Sequence, residues 1–278
     1  MRPAAILGEP RYAEAARAAA EFIFTNMRDS DGRLLHAFKN GRARFNAYLD
    51  DYACLIDGLI DLYQATFEPR WLEIALELAD QMLTRFEDPH GGGFFYTSRD
   101  HEQLVARLKD TQDNATPSGN GMAAYALARL GTLTGQPQLV GKAYATLETM
   151  SGQLDKFALA SGQSLLALDF MLGPSHEIVL SEADPANTTI ETEAALRELH
   201  RRFWPNKVVA RRPVTDDESS LPRSLSPLLS GKHAQSGSLT VFVCERGACQ
   251  TPLVGVPAWR EFLERDRTLS IDPRASVR

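Results

Sequence analysis

Two adjacent carboxylates, Asp50 and Asp51, stand where an apolar helix begins. Neighbours on a helix start point about 100° apart, so one can cap backbone N–H groups while the other faces a cavity. A carboxylate pair suits acid–base work on a sugar when its surroundings keep one member protonated. The plainer account is that both favour the positive helix N-terminus.

The polar stretch KDTQDNATPSGNGMAAYALARL (109–130) is a second candidate. Asp113, Asn114, Ser118 and Asn120 carry groups that can bond sugar hydroxyls. The competing reading is an elaborate helix start, with Thr116 capping, Pro117 in the first turn, and Asp113 and Asn114 in the turn before it. Gly119 and Gly121 cost a helix up to about 1 kcal/mol each relative to alanine. They are expected there to admit another backbone or a ligand. On the binding reading, Asp50, Asp51, Asn114, Ser118 and Asn120 gather at one mouth, and Asn120 is dispensable for stability. In GGGFFYT (91–97), strand alternation sends Phe94 and Tyr96 one way, either onto a sugar ring or into packing across a hairpin.

The remaining reactive side chains give less. Cys244 and Cys249 fit neither Cys-x-x-Cys nor a four-ligand zinc set. A packed thiol pair is expected, with a redox or metal role as the alternative. Cys54 falls on the apolar face of its helix and is expected in the core. The histidines (His36, His90, His101, His176, His200 and His233) are scattered, with His36 either at the mouth or on the surface. No metal-ligand spacing exists, so neither metal nor cofactor is expected.

The elements that must position these groups repeat. LGEPRYAEAARAAAEFI, TFEPRWLEIALELADQML and TGQPQLVGKAYATLETM each place a proline (Pro10, Pro69, Pro137) ahead of an apolar-periodic run. Proline suits a first helical turn, and the three-and-four spacing marks a buried face. Helices are expected at roughly 11–28, 50–66, 70–86, 118–134, 137–152 and 160–173, joined as hairpins that stack side by side or curl into an α/α toroid. A toroid of six hairpins needs twice as many, and the helix that should precede the first copy is reduced to MRPAAIL. Residues 1–174 are therefore expected to form half of such a toroid, with apolar edges open to a partner or a second copy. Beyond 175 come strand, helix and strand, a Ser-rich loop (about 213–238), a strand with a cysteine-bearing turn, and a short helix. That order suggests a small parallel sheet. The expected fold class is mainly α, a partial (α/α) toroid of helical hairpins with a small C-terminal α/β segment.

Bulk properties exclude several classes. The 278 residues are 44% hydrophobic and 24% charged, with a net charge of −6 and no basic run, so nucleic acid is not expected as a partner. No stretch reaches the length of a membrane span, and Gly8, Glu9 and Pro10 break the apolar run near the start, which argues against a secretory signal. Three cysteines suit a reducing cytoplasm better than a disulfide scaffold.

YLDDYACLIDGLIDLY (48–63), GGGFFYT (91–97), RLKDTQDNATPSGNGMAA (107–124), LALDF (166–170) and CERGACQTP (244–252) occur together and in order. On them the chain resembles the C-terminal portion of the thioredoxin-domain-containing proteins related to spermatogenesis-associated protein 20. The resemblance implies a toroid similar to six-hairpin glycosidases and N-acylglucosamine 2-epimerases, here without the thioredoxin domain and the first toroid half. It implies sugar-directed acid–base chemistry of the epimerase, isomerase or glycosidase kind through Asp50 or Asp51, with little or no catalysis by this chain alone. The alternative is a non-enzymatic module that binds a protein partner, including a separately encoded first half.

Overall fold

A computed structural model describes residues 7–101 and 105–265, and for 185–189 the backbone alone. The fold is mainly α with a small α/β segment. Residues 1–6 of the N-terminal stretch lie outside the described residues.

The chain opens with helix α1 (Pro10–Asn26) and a hairpin of β1 (Leu35–Lys39) and β2 (Arg42–Asn46), followed by α2 (Leu49–Thr66) and α3 (Arg70–Phe86). After a long polar excursion come α4 (Gly119–Thr134), α5 (Pro137–Thr149), short α6 (Ser151–Lys156) and α7 (Gly162–Leu172). Pro10 and Pro137 occupy the first turn of their helices, and Pro69 stands at the N-cap of α3. The helices α2 and α4 end on left-handed residues, Phe67 and Gly135, which reverse the chain into the next helix.

Helix α2 packs on α3 and α4, and α4 packs in turn on α5 and α7. That central position buries every residue of α4 except Thr132. A helix covered on all sides needs no polar face, and the polar residues of α4 are few: Asn120, Arg129, Thr132 and Thr134, besides the hydroxyl of Tyr125.

The α/β segment holds β3 (His176–Ser181), α8 (Pro185–His200), β4 (Lys207–Arg212), α9 (Ser226–Leu229), β5 (Thr240–Glu245), β6 (Ala248–Cys249), β7 (Leu253–Val254) and α10 (Gly255–Arg265). The strand order is β4-β3-β5-β6, with β7 also on β5. The pair β3 and β4 is parallel, joined through α8, whereas β5 lies antiparallel to β3. The expectation of a parallel sheet therefore holds for the first two strands only. The third arrives through the Ser-rich loop rather than a helical crossover, and it enters from the opposite end.

The sheet has two apolar faces. Ile178, Leu180, Val209, Val241 and Val243 pack with Trp204, Trp259 and Leu263. Val179, Val208, Ala210, Phe242 and Cys244 belong to the same core as the helices. The side chain of Gln64, near the end of α2, accepts the N–H of Val209 at 2.8 Å, which ties the sheet to that helix. The Ser-rich loop is pinned as well: the buried Arg212 guanidinium donates to the carbonyl of Leu229 at 2.9 Å and to Glu218 at 2.9 Å.

Candidate functional site

The start of α2 is built around Asp51. Its Oδ2 accepts the backbone N–H of Tyr48 at 2.8 Å and lies 2.8 Å from Nδ1 of His36 on β1. Asp51 is thus the capping carboxylate. Asp50 is half-buried, and burial raises its carboxyl above the usual carboxylate range. The charges of Asp51 and Asp110 push the same way, so Asp50 holds its proton to higher pH than a free aspartate.

Beside these acids the Tyr48 ring stacks on Tyr96, with centroids 4.9 Å apart and planes 11° from parallel. His36 meets Tyr48 edge-on at 5.0 Å, and His101 lies tilted against it at 5.1 Å. The carbonyl of Tyr96 accepts the N–H of Leu49 at 3.0 Å, fixing the platform to the helix start. Burial, then the charges of Asp50 and Asp51, push the Tyr96 hydroxyl up to about 12. The loop bearing His101 is held by buried Arg33, which donates to Asp100 at 2.6 Å and to Ser98 at 2.7 Å. The cluster joins a stacked aromatic pair, an acid of raised pKa and a fixed carboxylate.

The polar loop before α4 serves chiefly as a frame. Asp113 accepts from the N–H of Ser118 and from that of Gln163, both at 2.8 Å, and so links the starts of α4 and α7. Ser118 caps α4 by accepting the N–H of Gly121 at 3.2 Å. The side chain of Asn120 is buried; it accepts from Phe94 N–H at 2.8 Å and donates to the carbonyls of Phe94 at 2.9 Å and Asp110 at 2.8 Å. Phe94 lies in the core. The ligand-binding expectation for Asp113, Ser118, Asn120 and Phe94 gives way to this framing role, because protein groups already occupy their polar atoms or cover their rings. Asn114 is exposed, and its N–H turns back to the carbonyl of Thr116. Of the expected set, Asp50, Asp51 and Tyr96 come together.

The glycines of the loop make room for protein rather than ligand. A Cβ at Gly121 would stand 2.7 Å from Ser118 Oγ and 2.9 Å from Ser164 Oγ; one at Gly119 would stand 3.0 Å from Leu49 Cδ2. GGGFFYT is a turn and not a strand: Gly92 and Gly93 both have φ +66°, and Phe94 makes a single bridge to Glu87. The alternation assumed for Phe94 and Tyr96 therefore does not apply.

Spacing alone misses Tyr48, Asp110 and His101. Asp110 accepts the N–H of Gly119 at 2.9 Å through its side chain and lies close enough to act on Asp50. The signal for Tyr48 was its place immediately before the acidic helix start. Asp110 stood in the same polar loop as Asp113, and nothing local separates their roles.

Cys54 is exposed, a correction to its expected place in the core. It follows Asp50 by one turn of α2. Partial desolvation by the surrounding helix, then the charges of Asp50, Asp57 and Asp51, push the thiol up to about 11, which disfavours the thiolate at neutral pH. Farther along, Asp57 and Asp61 both pair with Arg129 of α4, the second at 2.5 Å.

Cys244 and Cys249 are joined in a disulfide, which corrects the expectation of packed thiols. The hairpin places the two residues directly opposite one another on β5 and β6. Among the described residues no group of three or more His, Cys, Asp or Glu is placed to hold a metal. No helix among them is long and apolar enough to cross a membrane.

No family model matches the chain. Spermatogenesis-associated protein 20 of Rattus norvegicus is 33% identical over 270 residues, which cover 94% of this chain and 34% of that protein. The Homo sapiens protein of the same name is 33% identical over 269 residues, covering 93% and 34%. An uncharacterised protein of Caenorhabditis elegans is 24% identical over 265 residues, covering 92% and 35%. The chain is thus related along nearly its whole length to spermatogenesis-associated protein 20, and it spans about a third of the length of the curated relatives it matches.

Proposed function

We propose that the chain carries a carbohydrate-directed acid–base site at the start of α2, on helical hairpins that form part of an α/α toroid. The observation that supports this reading most is Asp50, a carboxyl whose affinity for its proton is raised by burial and by the charge of Asp51, beside the stacked Tyr48–Tyr96 pair. Aromatic faces bind the apolar faces of a sugar ring, and a protonated carboxyl donates to a ring or glycosidic oxygen. Asp50 is the proton-transfer group in this scheme. Asp51 is a positioning residue, fixed by Tyr48 and His36. The chemistry is of the epimerase, isomerase or glycosidase kind, and this chain by itself has weak catalysis or none.

Calorimetry with monosaccharides and disaccharides at millimolar concentration tests the site. Tyr96→Ala is expected to weaken binding about tenfold, from the loss of a ring contact. The folded pKa of Asp50 is raised, so its donated hydrogen bond is present at low pH and is lost as pH rises through that pKa. By the same sign, ionising Asp50 lowers fold stability over that range. Asp50→Asn donates at every pH and should flatten the binding profile. A wild type that binds no sugar, or a profile unchanged in Asp50→Asn, would sink the proposal.

A second reading, a module that binds a protein partner or another copy of itself, is favoured by apolar side chains at the two ends of the helix row. Phe22, Phe38 and Phe45 are exposed on α1 and its hairpin, and Phe157, Leu159, Leu166 and Leu172 on the approach to α7 and along it. Apolar side chains that are exposed side by side, as Phe22 and Phe38 are at 5.0 Å between ring centroids, mark interaction surfaces when they form a contiguous patch. Light scattering is expected to show self-association, or dye binding to apolar surface. A compact, monodisperse monomer without dye-binding surface removes this reading.

A further inference from the structure

A cavity of about 540 Å³ lies away from the acidic site, between the C-terminal ends of α4 and α7, the start of α5 and the β5–β6 hairpin. Its walls are mostly apolar, with Ala128, Val140, Phe170 and Met171 among them. Glu177 from β3 and Arg246 from the hairpin turn also line it. This size and composition are those of a small-molecule site.

The two charges set the ligand chemistry. Glu177 is half-buried, and Arg246 is exposed at the edge of the cavity. They do not pair with each other, and neither forms an ion pair within 4 Å with any described residue. Burial raises the Glu177 carboxyl above the usual carboxylate range, against a backbone hydrogen bond from Gly247 and the charge of Lys232. A half-buried carboxylate without a bonded cation is costly unless something pairs with it.

The hairpin turn adds an independent observation. Arg246 and Gly247 have φ of +50° and +80°, the paired left-handed conformation of a tight two-residue turn. Asparagine and glycine are the usual occupants of such a turn, and arginine is strained at its first position. Here an arginine stands there, on the cavity wall, inside a loop closed by the Cys244–Cys249 disulfide. The strain is explained if the guanidinium is required at that edge.

We propose that this cavity binds a free α-amino acid with an apolar side chain. The ammonium group donates to Glu177, the carboxylate accepts from Arg246, and the side chain fills the apolar interior. One such ligand satisfies both unpaired charges and the walls together, which neither a simple fatty acid nor a simple amine does.

Calorimetry or ligand-observed NMR with L-phenylalanine, N-acetyl-phenylalanine, phenethylamine and glycine tests the proposal on the full chain. Phenylalanine is expected to bind, and the three analogues to bind at least about tenfold more weakly, since each lacks one recognised group. Arg246→Gln should weaken phenylalanine about tenfold and leave phenethylamine unchanged. Glu177→Gln should weaken phenylalanine similarly and leave N-acetyl-phenylalanine unchanged. Arg246 is solvent-exposed, so its variant keeps the test open if Glu177→Gln folds poorly. No phenylalanine binding at millimolar concentration, analogues that bind as tightly as phenylalanine, or variants that weaken all ligands alike would each overturn the assignment.

Discussion

Asn120→Ala is expected to lower the unfolding free energy by about 3 kcal/mol, as two buried backbone groups lose their partners. The side-chain amide holds both the N–H and the carbonyl of Phe94, 26 positions earlier in the chain, and also reaches the carbonyl of Asp110. Alanine leaves the Phe94 groups facing a dry interior, where each unmade bond costs about 1–3 kcal/mol. Asn120→Asp should be at least as damaging, because it buries a charge and loses both donors. The damage should also spread to the platform, since Phe94 is two residues from Tyr96. Urea denaturation read by circular dichroism measures the effect. A loss below about 1 kcal/mol would show that the amide is not a clamp.

Arg129→Ala is the other large effect, expected at about 3 kcal/mol. Burial disfavours the charge on Arg129, but Asp57 and Asp61 outweigh it and hold the guanidinium charged more firmly than usual. Its side chain is 4% exposed, against 18% for Asp57 and 14% for Asp61. Removing the cation leaves two sheltered carboxylates side by side, so the penalty is mutual repulsion as well as a lost pair. The variant Asp57→Asn/Asp61→Asn/Arg129→Met removes all three charges and should recover much of the loss. If the triple variant is as unstable as Arg129→Ala, packing around the arginine stem and not the charge is what matters.

The helical part was legible because its signals are local. Proline at helix starts and apolar spacing of three and four each act within a few residues. The bounds of α2, α3 and α4 therefore fall close to expectation. The site was half legible. Asp50 and Asp51 declare themselves by adjacency at a helix start, and Tyr96 by its place in an aromatic run. The framing role of Asn120 could not be read, because its partner sits on a turn far back in the chain. Cys54 misled because an apolar helix face predicts burial only where a neighbouring helix covers it. Phe94 misled because paired left-handed glycines had already broken the strand on which the alternation depended. The direction of β5 depends on how the Ser-rich loop packs around Arg212, and no pattern within the strand encodes that.

The sheet's double allegiance, with one face in the helical core and the other in its own, sets the order of events as the chain is made. Helices α1 to α7 leave the ribosome before the sheet and can pair with near neighbours at once. The flank of α2 and α4 that β4 covers stays bare until residue 212 has emerged. β3 alone cannot close it, because its partners β4 and β5 lie about 30 and 60 residues downstream in a register that needs all three strands. The nascent chain is therefore most exposed to wrong association between the end of α7 and the arrival of β5. Only when the last strand docks does the helical half acquire its finished side.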